Sequence, residues 1–363
     1  MLTPLWWSLG HALINPALGT SVGARLAEWT RDHGGRGLVV WAENFWYSHN
    51  PPPTGGHPPA GAIPAPGTSP PAGLPAIPHL APPEAIVPFV QPPVSGEGQW
   101  HPVGRLVDGH PAVYEAFLRP DSVHTSLVVG VAWFDTQLLR ARLYSGSYIP
   151  GGGPWHYTAP IVPSDARSVV AAFNSGFRMR DARGGYYSEG RLMDPLRLGA
   201  ASLVIYRDGT ATVGAWGRNV SMTPNVIAVR QNLNLLVDGG HPVPSLDSNN
   251  TTIWGYTLAN RVFVWRSGLG VTADGALVYV GGPGLNVTTL ADILVRSGAK
   301  RAMELDINTD WVNLAAFTPA VAGGAASPAN GQDLLPNMLG SPQRYFTTSW
   351  SRDFITMSAR VPP

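Results

Sequence analysis

Two carboxylates lie close together at the end of a short apolar segment. Residues Ala302 to Asp306 read Ala-Met-Glu-Leu-Asp and predict a short, largely buried strand. Because side chains alternate along a strand, Glu304 and Asp306 share one face of it. Two carboxylates on one rigid face can take different pKa values, which paired acid and base catalysis requires. We therefore predict both as catalytic. The structural alternatives are an Asp306 that caps a turn and a Glu304 that pairs with Lys300 or Arg301.

Three further polar residues are predicted at strand ends or turns. Asp238 precedes Gly239-Gly240 and is a third candidate catalytic carboxylate, with a local Asx turn as the alternative. His241 follows that turn and is suited to proton transfer or substrate binding, although a histidine in a turn usually has no chemical role. Asn174 follows an apolar segment and can donate a hydrogen bond to a phosphate or a sugar hydroxyl. Its alternative is turn formation by Asn-Ser-Gly.

Arg266 and Asn308 complete the set of candidate substrate-binding residues. Arg266 directly follows the apolar residues Val262 to Trp265, and a planar guanidinium can bind two phosphoryl oxygens at once. The alternative for Arg266 is an internal ion pair with one of the acids. Asn308, Asp310 and Asp306 carry oxygen atoms of the kind that divalent cations prefer, but their spacing matches no known ligand set. We predict no cofactor and no metal, while a divalent cation stays open.

Short strands are expected to position these side chains. The predicted strands are rich in Val, Leu, Tyr and Trp and are separated by Gly, Asp or Pro. They cover Leu127 to Phe134, Leu138 to Tyr144, Val169 to Asn174, Ala201 to Tyr206, Thr210 to Ala215, Leu233 to Val237, Arg261 to Trp265 and Ala276 to Val280. Asp208-Gly209 and Asp274-Gly275 predict hairpin turns. Helices are predicted at Thr288 to Ser297, capped by Thr289, and as a turn at Ser164 to Ser168. The fold class is α+β, with a mixed, largely antiparallel sheet core in a single main domain.

The composition excludes several classes of protein. The 363 residues include 42 Gly and 36 Pro, which imply many turns and argue against an all-helical fold. A net charge of +1 provides no general attraction to nucleic acid or to anionic lipid, so we predict no nucleic-acid partner. Without cysteine there can be no disulfide, thiolate metal site or cysteine nucleophile. Arginine supplies almost all the positive charge, which indicates a GC-rich bacterial genome.

The chain divides into three parts by composition. Residues 1–50 form a short N-terminal segment with one predicted helix, Val22 to Arg31, and one predicted strand, Leu38 to Trp41. Residues 51–95 are dense in Pro, Gly and Ala and predict an extended linker, although packing against the main domain is the open alternative. Residues 96–363 form the predicted catalytic domain. The N-terminal apolar residues are too few for a membrane span and lack a basic start, so a truncated targeting region or a membrane-proximal segment is expected.

Several motifs in order resemble the phosphodiester glycosidase family, whose uncovering-enzyme-like members remove N-acetylglucosamine from a sugar phosphodiester. The resemblance spans roughly residues 98 to 357 and has the form of an actinobacterial member. It is carried by Ala172 to Phe177, Leu235 to Gly240, Arg266 to Gly275, Thr289 to Leu294, Ser297 to Ala299, Glu304 to Asp306, Arg344 to Phe346 and Arg352 to Phe354. One departure follows the last strand. The family usually continues Asp-Gly-Gly-Gly-Ser, whereas Asp306 is followed here by Ile307, Asn308 and Thr309.

The resemblance implies a glycosidase-type hydrolase that cleaves a sugar-1-phosphodiester. The expected substrate is a carbohydrate or sugar phosphate in a cell-envelope or extracellular glycan, and the expected location is extracellular or in the envelope. Association with a membrane would depend on the N-terminal segment. Because bulkier side chains replace the family's glycines after Asp306, the alternative is an inactive envelope or polysaccharide-binding protein on the same scaffold.

Overall fold

The computed structural model describes residues 3–65, 77–247, 263–321, 323–346 and 350–360. It shows an α+β fold in which most of the chain forms one main domain of antiparallel sheets. The described α-helices are α1 (Thr3–Ile14), α2 (Val22–Asp32), α3 (Arg36–His49), α4 (Pro163–Ala166), α5 (Met179–Ala182) and α6 (Val287–Arg296). None of the described helices is long and apolar enough to cross a membrane.

The strands of the main domain run from His101 to Ala359. They are β1 (His101–Val107), β2 (His110–Leu118), β3 (Val129–Phe134), β4 (Leu139–Tyr144), β5 (Val169–Asn174), β6 (Tyr186–Ser188), β7 (Arg191–Asp194), β8 (Ala201–Tyr206), β9 (Ala211–Ala215), β10 (Val226–Gln231), β11 (Leu235–Asp238), β12 (His241–Pro242), β13 (Val264–Thr272), β14 (Leu277–Leu285), β15 (Ala299–Ile307), β16 (Leu314–Phe317), β17 (Gly331–Asp333) and β18 (Phe354–Ala359).

Among the described residues these strands form three sheets. The large sheet has eight strands in the order β1-β2-β3-β14-β13-β15-β11-β12. A second sheet has the order β7-β6-β10-β8-β9, and a third has the order β17-β16-β5-β18-β4. One face of the large sheet packs against α6, through buried residues such as Val280 and Leu290. Its other face packs against the two smaller sheets. The core between them contains Met303 of β15, Phe173 of β5 and Leu203 of β8.

The end of β15 is the place where strands from different sheets meet. β5 and β18 pair in the third sheet so that Asn174 lies opposite Phe354. β15 pairs with β13 in the large sheet, and Arg266 lies opposite Ile307. The end of β5, the start of β18 and the end of β15 are thereby brought to one edge of the core. Asn174 and Asp306, far apart in sequence, line the same small cavity there.

Most predicted elements are confirmed, with two corrections. β5 and β8 have the predicted bounds, and hairpins occur at Asp208-Gly209 and Asp274-Gly275. The predicted strand at Leu38 to Trp41 is wrong, because these residues lie inside α3. The cap of α6 is Asn286, whose side chain accepts a hydrogen bond from the Thr289 N–H, and Thr289 completes the capping box. The start of the strand predicted from Arg261 lies outside the described residues.

The described part of the Pro-rich segment lies against the main domain. Ile63 is buried in the core shared by the sheets, and Leu80 and Ile86 are buried on the α6 side. The N–H of Leu80 donates to the buried carboxylate of Asp135 at 2.8 Å. Residues 51–65 and 77–95 therefore follow the alternative of packing and do not stand free as a tether. The division of the chain into segment, linker and catalytic domain stays a prediction.

Candidate functional site

Asp306 is a nearly buried carboxylate at the end of β15. Its Oδ1 accepts a hydrogen bond from the N–H of Ile307 at 2.8 Å, and its own N–H donates to Ser267 Oγ at 3.2 Å. Burial raises the pKa of Asp306 to about 7, although attraction to Arg352 opposes the rise. A carboxyl with a pKa near neutrality can give or accept a proton at physiological pH. The predicted strand thus places Asp306 in a catalytically suitable environment.

Asn174 belongs to a hydrogen-bond network behind Asp306. Its Nδ2 donates to Ser267 Oγ at 3.0 Å, while its Oδ1 accepts from Tyr279 Oη at 2.9 Å and from the N–H of Asn313 at 3.2 Å. Ser267 in turn contacts the backbone of Asp306. The amide of Asn174 is therefore used to hold Ser267 and Asp306 in place. This geometry favours positioning over the substrate binding predicted from the sequence.

Arg266 and Glu304 form an internal ion pair. Both side chains are almost completely buried, and Arg266 Nη1 lies within hydrogen-bond distance of Glu304 Oε1. Arg266 Nε donates to the carbonyl of Leu285 at 3.0 Å. Burial raises the pKa of Glu304, and Arg266 opposes that rise. The arrangement is the ion-pair alternative that the sequence left open, so it favours structural roles over phosphate binding by Arg266 and acid or base catalysis by Glu304.

Asp238 and His241 lie at the opposite end of the large sheet. Asp238 pairs with Arg218, and the neighbouring Gly240 donates its N–H to the carbonyl of Lys300 at 2.9 Å. Lys300 lies near the start of β15, six residues before Asp306. At roughly 3.3 Å per residue the separation along the strand is about 20 Å. Asp238 and His241, which are candidate catalytic and substrate-binding residues from the sequence, therefore do not lie beside Asp306, because the register of β11 with β15 sets them apart.

A cavity of about 70 Å³ lies beside Asp306. The described residues that line it come from α2 and α3, from the segment after β5, from the start of β13, from the end of β15 and the turn after it, and from the segment before β18. They are Arg31, Arg36, Val40, Glu43, Tyr47, Phe177, Arg178, Asp181, Val264, Asp306, Ile307, Asn308, Trp311 and Arg352. A smaller cavity of about 10 Å³ shares Asp306, Trp311 and Arg352 with the first and reaches Asn174. The site is thus walled on one side by the N-terminal helices.

Two arginines of the main domain face this wall and contact the carboxylate of Glu28 on α2. Arg178 Nη1 lies 3.4 Å from Glu28 Oε2, and Arg352 Nη2 lies 3.5 Å from Glu28 Oε1. Burial would raise the pKa of Glu28, but Arg352, Arg178 and Arg31 outweigh it and keep the pKa below its usual value. Glu28 therefore stays ionised, as an internal anion among the guanidinium groups of Arg31, Arg178 and Arg352.

Each of the two arginines has a nitrogen that faces a carboxylate without forming a hydrogen bond to it. Arg178 Nη1 and Arg352 Nη1 are buried and make no hydrogen bond to any described residue. Arg352 is stacked over the ring of Trp311, with its Cζ 4.1 Å from the ring centre. Its Nη1 lies 3.9 Å from Asp306 Oδ2. A pair of guanidinium groups with spare buried donors beside a carboxyl of raised pKa is a suitable site for a phosphate group.

The other carboxylates that line the two cavities form ion pairs with arginines that are shorter than the one between Asp306 and Arg352. Glu43 binds Arg31, Asp181 binds Arg36, and Asp353 binds Arg230, each at 2.6 Å. The ion pair of Asp306 is longer, with 3.9 Å between its Oδ2 and Arg352 Nη1. Among the described residues that line the cavities, Asp306 is therefore the carboxylate best able to exchange a proton with a ligand.

Asn308 takes a position where the family usually has glycine. Its φ is 82°, in the left-handed region that glycine and asparagine tolerate best. Asn308 thereby forms a left-handed turn after Asp306, and it lines the cavity. Asp310, the third candidate cation ligand, accepts a hydrogen bond from the N–H of Thr20 at 3.0 Å. No group of three or more His, Asp or Glu residues suited to a metal occurs within the described ranges.

The central part of the chain matches a protein-family model. Residues 167–306 match the family model of phosphodiester glycosidases. The phosphodiester glycosidase match includes Asn174, Arg178 and Arg266 and ends at Asp306, whereas Glu28 and Arg352 lie outside it. No curated protein matches the chain significantly.

Solved structures give weak similarities of fold. The catalytic domain of zebrafish N-acetylglucosamine-1-phosphodiester alpha-N-acetylglucosaminidase, auto-inhibited by its pro-peptide, is 15% identical with a TM-score of 0.43, covering 72% of this chain and 87% of that one. A hypothetical protein from Synechocystis is 14% identical with a TM-score of 0.38, covering 71% of this chain and 64% of that one. A putative exported protein from Burkholderia pseudomallei is 13% identical with a TM-score of 0.34, covering 64% and 74%.

Three residues of the site were missed by the sequence analysis. Arg178 follows the Asn174 motif directly, and Arg352 begins the tail motif Arg352 to Phe354, so both stood next to recognised signals. Their role was hidden because only the pairing of β5 with β18 brings the two segments together. Glu28 had no signal at all. It is one acidic residue on an amphipathic helix, a position that usually faces solvent.

Proposed function

We propose that this protein is a hydrolase that cleaves a sugar-1-phosphodiester between the anomeric carbon and the phosphate oxygen. The observation that carries the proposal is the combination at one cavity of Asp306, with its pKa of about 7, and the arginines Arg178 and Arg352. The family match over residues 167–306 supports the reaction class. The arginines replace Arg266 as the proposed phosphate-binding groups, because Arg266 is committed to Glu304.

The proposed reaction needs one proton acceptor and one stabilised leaving group. Asp306 accepts a proton from water as the water oxygen bonds to the anomeric carbon. The bond from that carbon to the phosphate oxygen breaks, and the phosphomonoester leaves with the electron pair. Arg178 and Arg352 stabilise the charge that develops on it. A phosphomonoester is a good leaving group, so a second carboxyl acting as a strong acid is not required.

Glu28 occupies the place that we assign to the substrate phosphate. Its carboxylate contacts both arginines, and α2 and α3 form one wall of a cavity that is small for a sugar phosphate. Further ion pairs dock α2 and its neighbour α3, from Asp32 to Arg178 and Arg180 and from Arg36 to Asp181. We therefore propose that the N-terminal helices must move away before the substrate binds, so that the described conformation is an inhibited one.

The substrate setting is proposed from the sequence. An extracellular or cell-envelope glycan of a bacterium is the proposed source of the phosphodiester, with no cofactor. Membrane association through the N-terminal segment is kept as a proposal.

The reaction is tested with a sugar-1-phosphodiester in water enriched in heavy oxygen. We expect the label in the released sugar and none in the phosphomonoester, because the bond to carbon is the one that breaks. Label in the phosphate would instead indicate phosphodiesterase chemistry. Binding without turnover, also in the Glu28→Gln protein, would support the alternative of an inactive polysaccharide-binding protein. The Arg352→Gln protein is the control for binding, because it lacks one of the two proposed phosphate-binding guanidinium groups.

The pH dependence of kcat/KM follows from the raised pKa of Asp306. The proposed base is active when ionised, so below its pKa of about 7 the active fraction falls as the pH falls. We expect kcat/KM to rise about tenfold per pH unit below that pKa and to level off above it. A profile measured from acidic to alkaline pH checks this. A decrease through neutrality would mean that Asp306 acts as an acid.

A further inference from the structure

Arg230 joins the two segments that carry the phosphate-binding arginines. It lies on β10, and its side chain is fully buried together with that of Asp353. Arg230 Nε donates to Asp353 Oδ2 at 2.6 Å, and Nη2 donates to Asp353 Oδ1 at 3.4 Å. Nη2 also donates to the carbonyl of Phe177. One guanidinium thus binds the residue after Arg352 and the residue before Arg178.

The surrounding contacts make this connection rigid. Arg230 Nη1 donates to the carbonyl of Gln231 at 2.8 Å, which fixes the guanidinium to its own strand. Ser175 Oγ donates to the carbonyl of Asp353 at 2.8 Å and ties the same two segments a second time. A Cβ on Gly176 would lie only 3.2 Å from Cζ and Nη2 of Arg230. The backbone after β5 can therefore approach Arg230 closely because residue 176 is glycine.

We propose that Arg230 and Asp353 are positioning residues that set the distance between Arg178 and Arg352, and thereby the affinity of the site for phosphate. The proposal rests on the proposed function for the identity of the anion. Both arginines reach their position from segments that are far apart in sequence, and a planar guanidinium with two directed contacts fixes such a separation more firmly than a single ion pair does. Displacing the guanidinium should move the two donors relative to each other.

A buried ion pair that is broken leaves an uncompensated charge and can unfold the protein. The test therefore uses two mild variants of the full chain that keep both charges. The Cβ of Gly176→Ala lies so close to the Arg230 guanidinium that the guanidinium must shift by a few tenths of an ångström. Arg230→Lys keeps the charge but loses the planar pair of contacts. Gly214→Ala is the control for strain, because its Cβ would press on Asn219 and Val220, away from the site, at 2.8 and 3.0 Å.

Inorganic phosphate is titrated calorimetrically into each protein, and KM is measured for a sugar phosphodiester and for a neutral aryl glycoside. We expect Gly176→Ala and Arg230→Lys to weaken phosphate binding and to raise KM for the phosphodiester by about fivefold, with less than about twofold effect on the neutral substrate. Gly214→Ala should change neither. Equal losses on both substrates, or a lower melting temperature with unchanged phosphate affinity, would show a merely structural pair.

The phosphate titration also separates this inference from the proposed function. An unaltered protein that binds phosphate but has no hydrolase activity would overturn the proposed reaction and leave the positioning role to be decided by the variants. Because Glu28 contacts both arginines in the unaltered protein, phosphate is also titrated into the Glu28→Gln protein. If neither protein binds phosphate, the assignment of Arg178 and Arg352 is overturned, and with it this inference.

Discussion

Asp306→Asn is expected to reduce turnover of a sugar phosphodiester by ~10² or more while the protein stays folded. Asparagine keeps the shape of the side chain and its hydrogen bond from Ile307, but it cannot accept the proton of the attacking water. Removing a buried carboxylate whose pKa burial raises should not destabilise the fold, since its ionised form is disfavoured there. Steady-state kinetics and a thermal melt measure the two effects separately.

Asp238→Asn is the informative comparison for this variant. Asp238 has the same candidate role from the sequence, yet the structure pairs it with Arg218 at the far end of β15. We expect its turnover to stay close to that of the unaltered protein. If Asp238→Asn were as impaired as Asp306→Asn, the site would have to be rebuilt around both carboxylates. Full activity in Asp306→Asn would remove the basis for the proposed mechanism.

Glu28→Gln is expected to raise kcat/KM for the phosphodiester by about tenfold or more. Glutamine has nearly the same size but no charge, so it competes less well with the substrate phosphate for Arg178 and Arg352. A competitor that is held intramolecularly acts at a high effective concentration, and its removal therefore has a large effect. We also expect faster proteolysis in α1 to α3, because the contact that holds these helices over the site is weaker.

Glu43→Gln is the matched control for Glu28→Gln. Both glutamates bind Arg31, at 2.6 Å for Glu43 and 2.9 Å for Glu28, but the ion pairs to Arg178 and Arg352 described above are formed by Glu28. Loss of one ion pair with Arg31 is thus common to the two variants, whereas release of the phosphate site is not. An equal gain in kcat/KM for both variants would mean that looser packing of α2 and α3, and not competition for the arginines, explains the result.

Local sequence patterns predicted the elements around the site well. Segments rich in Val and Leu predicted β5 and β8, and a short apolar segment predicted the strand that carries Asp306, because strand formation depends on the burial of neighbouring side chains. The Asp-Gly pairs predicted the hairpins, since glycine accommodates the positive φ of the turn. Leu38 to Trp41 was misread because a short apolar run fits a strand or a helix equally well, and only its continuation to His49 decides for the helix.

The ion-pair partners of the two carboxylates could not be predicted from local sequence patterns. Glu304 and Asp306 share a strand and are both buried, yet the first meets Arg266 and the second meets Arg352 at a longer distance. That difference decides which carboxyl stays available for chemistry. It depends on the register of β13 and β18 with their neighbours, and a register is set by the complete hydrophobic pattern of a sheet.

The sequence by itself determined that this chain is an α+β protein without cysteine chemistry, and that Asp306 lies at the exit of a buried strand. These features follow from composition and from the period of the side chains, which are local properties. The tertiary structure alone decided that Arg178, Arg352 and Glu28 meet beside Asp306 and that Asp238 does not. Contacts between distant segments are fixed by strand pairing and packing, because an ion pair forms wherever the folded backbone brings opposite charges within reach, at any separation along the chain.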